Sequence, residues 1–172
     1  WITERVRGDC DHLLVADTLP VLLPPALHDL EAWNEAVCDG AWGGMAANLG
    51  EKIRQGVDLE HWGAFQDSFR RLMGLIGDVG AGRCGEAPAS IVMLGGDIHH
   101  AYLAEVAFRR SEGVRSAGVP DADVRWRLVQ PPTFDNQIGT LSFEGRSARL
   151  RLEHATPGEH PRLETSLERR LA

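Results

Sequence analysis

A continuous apolar run, Ser90-Ile91-Val92-Met93-Leu94, stands between a helical segment and a pair of glycines. Its length and composition indicate a strand that is buried on both faces, as in sheets on which helices pack. We therefore expect an α/β fold. In open sheets of this class functional side chains gather at the carboxyl ends of the strands, so the residues after Leu94 are the first place to look for a site.

Hydrophobic periodicity predicts the other elements. Residues 12–16 have the composition of a short buried strand, and residues 26–37 have helical spacing. Residues 58–77 carry an apolar stripe at three- and four-residue steps, which predicts a long amphipathic helix with Asp58 as its N-cap. Further predictions are a Gly-rich loop at 39–50, strands at 101–108 and 124–129, a break at Gln130-Pro131-Pro132 and a loop at 109–123.

The C-terminal part is predicted to form a β-hairpin. Residues 138–143 and 147–152 alternate apolar and polar side chains around Glu144-Gly145. From Thr156 the chain is charged and contains prolines, so we expect it to fray. The sequence thus divides into residues 1–155, part of a single domain, and a frayed tail at 156–172.

Charge and composition exclude several classes of function. The net charge is -7 and Lys and Arg do not cluster, which argues against nucleic acid as a partner. No apolar run approaches the ~20 residues of a membrane span. The three cysteines form no CxxC pair, so we expect unpaired thiols in a reducing compartment and a cytoplasmic location. Because the chain opens on Trp1 rather than Met, we expect an N-terminal portion to be missing.

The turn Gly95-Gly96-Asp97-Ile98-His99 is the best candidate site. Glycines remove side chains where a backbone bends sharply or approaches a ligand. In an extended segment, Asp97 and His99 would project to the same side and could converge on one ion. Carboxylate and imidazole suit Zn, Mn or Fe better than a cuprous ion. The alternative is that Asp97 caps a turn and His99 is solvated.

Other residues are weaker candidates. His100 would point away from the Asp97 side, as a supporting or surface histidine. Asp135 and Asn136 follow the Pro-Pro break and could form a turn or a loop that lines the substrate. We count His100, Asp135 and Asn136 as candidate substrate contacts. Asp17-Thr18, at the end of the first strand, could face the same site, whereas Trp33, Trp62 and Trp126 are expected in the core.

Several stretches resemble one protein family. Residues 91–106, from Ile91-Val92-Met93-Leu94 through Gly96-Asp97-Ile98-His99-His100 to Val106, resemble the late metal-binding motif of PhoD-like (alkaline phosphatase D type) phosphatases, which are calcineurin-like metallophosphoesterases. Residues 19–35, 58–62 and 130–137 resemble an actinobacterial-looking branch of that group. The resemblance covers most of residues 11–153.

The resemblance implies part of a layered α-β-β-α metallophosphoesterase sandwich, followed by the C-terminal hairpin. It implies a metal-dependent phosphoric ester hydrolase, a phosphomonoesterase or phosphodiesterase of small-molecule substrates, that uses a pair of Fe, Zn, Mn or Ca ions. Asp97 and His99 match the family's metal-binding Asp-x-His, and His99, if it is not a ligand, could protonate the leaving group.

Two of the family's motifs have no match in this sequence. They are an aspartate pair at an early strand end and an Asn-His element. We therefore expect this chain alone to be a poor enzyme, with the missing N-terminal half of its own fold as a possible partner. The alternative function is a non-catalytic fragment, a structural or partner-binding domain that keeps the fold without the full metal centre.

Overall fold

The computed structural model describes residues 2–109 and 123–172, so most of the loop predicted for 109–123 lies outside the described residues. The chain is mixed α/β. Its elements, in chain order, are α1 (Ile2–Arg5), β1 (His12–Ala16), α2 (Pro25–Cys38), α3 (Gly44–Val57), a 3-10 turn (Trp62–Ala64), α4 (Gln66–Gly80), β2 (Ser90–Leu94), β3 (Ala101–Arg109), β4 (Asp123–Thr133), β5 (Gln137–Glu144), β6 (Ser147–Ala155) and β7 (Leu163–Arg170).

The described strands form three small sheets. β1 and β2 are a parallel pair, β3 and β4 an antiparallel pair, and β5, β6 and β7 an antiparallel group in that order. The expected α/β class is thus confirmed, and so is the C-terminal hairpin, in which β5 pairs with β6 around Gly145 (φ 51°).

Helix α4 lies at the centre of the packing. The core that it forms with Val6, Val21 and Leu22 buries five of its residues, Phe69, Leu72, Met73, Ile76 and Val79. Side chains from both β1–β2 and β3–β4 pack against this core; they are Leu13, Val15, Ile91, Met93, Val106, Val124 and Trp126. One amphipathic helix therefore joins two sheets, because each sheet alone is too small to bury an apolar face.

The helix boundaries around Asp58 differ from the prediction. Helix α3 occupies much of the predicted Gly-rich loop and ends at Val57, and Asp58 (φ 56°, ψ 49°) terminates it in left-handed backbone instead of capping a helix that begins there. α4 begins only at Gln66, where Glu35 of α2 accepts the Gln66 backbone N–H at 3.0 Å. A Cβ on Gly50 would lie 3.0 Å from the Val37 side chain, so this glycine lets α3 approach α2.

Strand β4 does not break at its prolines. It continues through Pro131 and Pro132 to Thr133. The register shifts opposite this segment, between Ala101, which pairs with Thr133, and Leu103, which pairs with Gln130. Such an irregularity tolerates residues that have no N–H to donate, which is why the predicted break is absent.

The predicted frayed tail is also wrong for residues 163–170. They form β7, which pairs with β6 from Arg149↔Arg170 to Ala155↔Leu163. Arg169 on β7 donates a 2.8 Å hydrogen bond to Glu105 on β3. The charged tail is ordered because β6 has a free edge with unpaired backbone N–H and C=O groups. The hydrogen bonds that β7 makes with those groups order the segment although it has few apolar side chains to bury.

Two other expectations can be compared with the structure. Cys10, Cys38 and Cys84 are unpaired thiols, as predicted. Within the described ranges, no helix has the length and apolar character needed to cross a membrane.

The segment Val21-Leu22-Leu23 connects the two halves of the core. All three residues are buried although they lie between elements. The Tyr102 hydroxyl donates to the Leu22 carbonyl at 2.6 Å, and the Trp126 indole N–H donates to the Leu23 carbonyl at 2.7 Å. Two side chains of β3 and β4 therefore satisfy backbone groups that no strand ladder reaches.

Tyr102 allows a direct test of this packing because it is the only tyrosine in the sequence. Burial raises the pKa of Tyr102 from its ordinary value of 10.0 to about 12. We expect the tyrosinate absorbance of the native protein to titrate near pH 12, against 10 in concentrated urea.

The corresponding stability change has a defined sign. Above pH 10 the unfolded chain loses the tyrosine proton while the folded chain keeps it, so stability is intact below pH 10 and falls as the pH rises toward 12. A native titration that overlays the urea titration would show that Tyr102 is not buried against Leu22. Tyr102→Phe should remove the absorbance change entirely.

Candidate functional site

The carboxyl ends of β1 and β2 meet at one edge. The strands are in register from His12↔Ser90 to Ala16↔Leu94. Beyond them the Asp17 N–H donates to the Leu94 carbonyl at 2.9 Å, and the Gly96 N–H donates to the Thr18 carbonyl at 3.2 Å. Asp17-Thr18 therefore lies alongside Gly95-Gly96, as the sequence suggested for two parallel strand ends.

Of the two glycines, only Gly95 lies so close to neighbouring backbone that a side chain would not fit. A Cβ on Gly95 would lie 2.5 Å from the Pro20 Cα, a backbone atom that cannot rotate away. A Cβ on Gly96 would lie 3.4 Å from the Thr18 carbonyl oxygen, an ordinary contact. Gly95 thus fixes the approach of the β2 end to the segment after β1.

Asp97 and His99 are both exposed, and both have left-handed backbone, with φ of 55° and 54°. The segment is therefore a bend and not the extended chain from which we expected the two side chains to converge. Aspartate and histidine tolerate this conformation better than most residues, but two such residues within three positions are uncommon. Neither side chain hydrogen-bonds to another group in the described part of the chain, so both are available to a ligand.

His100, the next residue along this bend, lies close to two aromatic rings. Its ring centroid is 5.5 Å from that of Tyr102 and 5.5 Å from that of Phe134. His100 Nε2 is buried and has no hydrogen-bond partner among the described residues. The contact with Phe134 brings the β4–β5 loop, which contains the exposed residues Asp135 and Asn136, to the turn between β2 and β3.

The donors at the strand end meet only part of what a metal centre needs. Asp97 offers a carboxylate oxygen and His99 an imidazole nitrogen, which suit Zn, Mn and Fe. Within residues 2–109 and 123–172, no group of three or more His, Cys, Asp and Glu side chains is arranged to hold a metal ion. Two donors make a weak site, because protein metal sites normally use three or four.

The buried face of α2 is mostly polar, which its sequence did not lead us to predict. His28, Glu31, Asn34 and Val37 are buried, whereas Leu27 and Leu30 are exposed. Trp33, which we expected in the core, is exposed as well. His28 packs its ring on Phe69 and Trp126, and burial lowers its pKa. The sequence does contain a signal for this face, because His28, Glu31 and Asn34 are polar residues at three-residue steps.

Glu31 holds His61 in place. Glu31 is only 1% exposed, and its Oε1 lies 2.9 Å from His61 Nδ1 and 3.3 Å from the His61 backbone N–H. A Cβ on Gly63 would lie 2.6 Å from Glu31 Oε2, so the 3-10 turn closes directly over this carboxylate. The result is an imidazole that is oriented by a buried carboxylate, an arrangement that enzymes and binding sites use to fix a histidine.

His61 lines a pocket of about 320 Å³ beside the β1 end. Asp17, Glu60, Trp62 and Phe65 also line it. The Trp62 indole N–H donates to Asp17 Oδ2 at 3.0 Å, which joins the 3-10 turn to the strand end. Trp62, expected only as a core residue, therefore packs against the core and also forms a pocket wall.

In comparisons with protein-family models, curated proteins and solved structures, no match to this chain was found. The family therefore stays a prediction from the sequence motifs, and functional arguments rest on the site itself.

The two glycines provide a matched pair of variants. Gly95→Ala should lower the free energy of unfolding by about 1–3 kcal/mol, because the new methyl group overlaps the Pro20 backbone. Gly96→Ala should change it by less than about 0.5 kcal/mol. Urea unfolding of both variants measures the difference, and equal losses would contradict the close approach assigned to Gly95.

Proposed function

We propose that this chain is the C-terminal part of a PhoD-like metallophosphatase with the layered α-β-β-α sandwich, and that it serves the hydrolysis of phosphate esters. The observation that carries the proposal is the exposed Asp97 and His99 in left-handed backbone at the end of a parallel strand pair. Such backbone strain concentrates at functional sites, because surrounding structure must maintain it. The motif resemblance supplies the reaction class.

In this proposal Asp97 and His99 would be the ligands of a metal ion, Fe, Zn, Mn or Ca. A metal pair in such an enzyme lowers the pKa of a bound water and neutralises charge on the phosphoryl group. The protein's own part would be to hold the turn that carries the two donors at the strand end, through the close approach of Gly95 to Pro20. His100, Asp135 and Asn136 lie on the neighbouring turn and loop and are the proposed substrate contacts.

Metal binding tests the proposal without relying on activity. We expect the chain to bind Zn²⁺ or Mn²⁺ weakly in equilibrium dialysis, and Asp97→Asn or His99→Asn to weaken binding at least about tenfold. Asparagine suits these positions because it tolerates left-handed backbone. Asp58→Asn is the matched control, since Asp58 is also exposed with positive φ but terminates α3.

Hydrolysis assays then separate the two functions. p-Nitrophenyl phosphate and bis(p-nitrophenyl) phosphate report phosphomonoesterase and phosphodiesterase activity. We expect slow, metal-dependent turnover from residues 1–172 alone, which Asp97→Asn abolishes. If metal binding is undetectable, or equal in Asp97→Asn and Asp58→Asn, the strand-end site is not a metal centre. Rapid turnover would instead contradict the expectation of an incomplete site.

A second candidate function, a partner-binding domain, is favoured by an exposed apolar stripe. It runs along α3 and the turn before it and consists of Trp42, Met45, Leu49, Ile53 and Val57. Exposed apolar surface of this extent typically marks an interface. In addition, β1 and β2 have no further strand partner in the described part of the chain, although parallel sheets are usually larger and covered. The proposed partner is a polypeptide with the upstream motifs of the same fold.

Methionine oxidation tests this candidate with an internal control. Met45 is 91% exposed and Met73 is 0% exposed. Hydrogen peroxide should oxidise Met45 quickly and Met73 slowly in this chain. In protein expressed from the complete reading frame, protection of Met45 relative to the isolated chain would support a covering partner, and equal oxidation rates would exclude one at this stripe. Peptide mass spectrometry measures both residues in one sample.

A further inference from the structure

The pocket between the β1 end and the 3-10 turn has the size of a small-molecule site. Its volume of about 320 Å³ lies at the lower end of the range for ligand pockets, roughly 300–1,000 Å³. It is separate from Asp97 and His99, neither of which lines it. The chemistry of its walls therefore needs its own explanation.

The charged groups in the pocket wall are acidic. Asp17 and Glu60 line it, and no lysine or arginine from the described ranges does. Glu60 binds Arg54 at 2.8 Å, and Arg54 also binds Glu51, so that cation is shared between two carboxylates. In the part of the chain that the structure describes, the partners of Asp17 are uncharged: the Trp62 indole and, at longer range, the Thr18 hydroxyl and the Leu19 N–H. A carboxylate retains acceptor capacity beyond such contacts, so Asp17 can still pair with a cation.

The other walls suit the apolar part of a cation. Trp62 and Phe65 present aromatic rings, whose faces attract ammonium groups. The Trp62 ring is held by its hydrogen bond to Asp17, so the ring and the carboxylate have a fixed mutual position. When a ligand contacts both groups, the protein therefore loses little further side-chain freedom.

His61 adds an oriented acceptor. Its Nδ1 lies against the Glu31 carboxylate, which makes Nδ1 the protonated nitrogen and leaves Nε2 with a lone pair when the imidazole is neutral. The Nε2 lone pair can accept an N–H from a primary ammonium group. A phosphate or carboxylate ligand would instead meet Asp17 and Glu60 as like charges.

We propose that this pocket binds a small organic ammonium ion, with Asp17 as its counter-charge, Trp62 and Phe65 against its carbon chain, and His61 as an acceptor for one N–H. The proposal is independent of the phosphate-ester function, since it requires neither a metal nor Asp97.

Two probes of equal size test the proposal on the unaltered protein. n-Butylammonium chloride and 1-butanol differ in charge but little in shape. The Trp62 indole N–H signal in a ¹H–¹⁵N spectrum, assigned with Trp62→Phe, reports binding at the pocket. In buffer containing EDTA, we expect saturable shifts with n-butylammonium at an affinity at least about tenfold above that of 1-butanol. Equal affinities, or no shift at saturating n-butylammonium, would overturn the proposal.

A matched pair of variants locates the charge. Asp17→Asn keeps an acceptor for the Trp62 indole but removes the negative charge, and we expect it to weaken n-butylammonium binding about tenfold or more. Asp11→Asn makes the same change at the opposite, amino end of β1 and should leave the affinity within about twofold. Equal weakening in the two variants would mean that only the protein's net charge matters. If Asp17→Asn unfolds, the comparison of the two probes still decides the question.

Discussion

The packing of this chain depends on how two backbone carbonyls are satisfied. Val21-Leu22-Leu23 runs buried between β1 and α2, where no strand ladder can reach it. A buried carbonyl without a partner costs about 1–3 kcal/mol. The Tyr102 hydroxyl and the Trp126 indole remove that cost at Leu22 and Leu23, and in doing so they tie β3–β4 to the segment that follows β1. Helix α4 can then pack on both sheets at once.

Pairing of buried polar groups also determines the structure around the candidate pocket. Helix α2 turns its polar stripe inward, and three of its polar side chains are paired across an element boundary: Asn34 with the Gly50 carbonyl, Glu31 Oε1 with His61, and Glu35 with the start of α4. Two buried atoms of the stripe, His28 Nδ1 and Glu31 Oε2, have no hydrogen-bond partner among the described residues. Burying a carboxylate is favourable only when such partners are in place. The Glu31–His61 pair thus holds the 3-10 turn on α2, and the position of Trp62 and the pocket beside Asp17 follow from it. A helix cannot bury two different faces against one neighbour. Because α2 buries its polar face, its apolar residues Leu27, Leu30 and Trp33 are left exposed.

The sequence predicted the elements whose signal is local and strong. The strands at 12–16 and 101–108, the helix at 26–37 and the hairpin around Gly145 all have a periodicity or turn residue that acts within a few positions. It failed where a distant contact decides. Pro131 and Pro132 remain in β4 because the strand register shifts near Leu103. The tail becomes β7 because β6 has a free edge. Helix α2 can bury Glu31 because His61, 30 positions further along the chain, forms a hydrogen bond with it. The candidate sites show the same division: Asp97, His99 and Asp17 were predicted from their positions at strand ends, whereas the place of His61 and Trp62 beside Asp17 required the fold.

The two candidate sites share one edge but differ in rigidity and in charge. At the β2 end, Asp97 and His99 stand in strained, exposed backbone with no hydrogen-bond partner in the described chain, so a ligand would have to supply the order that the protein does not. At the β1 end, Asp17 and His61 are each held by a specific partner, Trp62 and Glu31, before any ligand arrives. Preorganised groups bind selectively because they lose little entropy, while loosely held metal donors gain their geometry from further ligands. The proposed ammonium pocket at the β1 end is therefore preorganised by contacts within this chain, whereas the proposed metal site at the β2 turn is not.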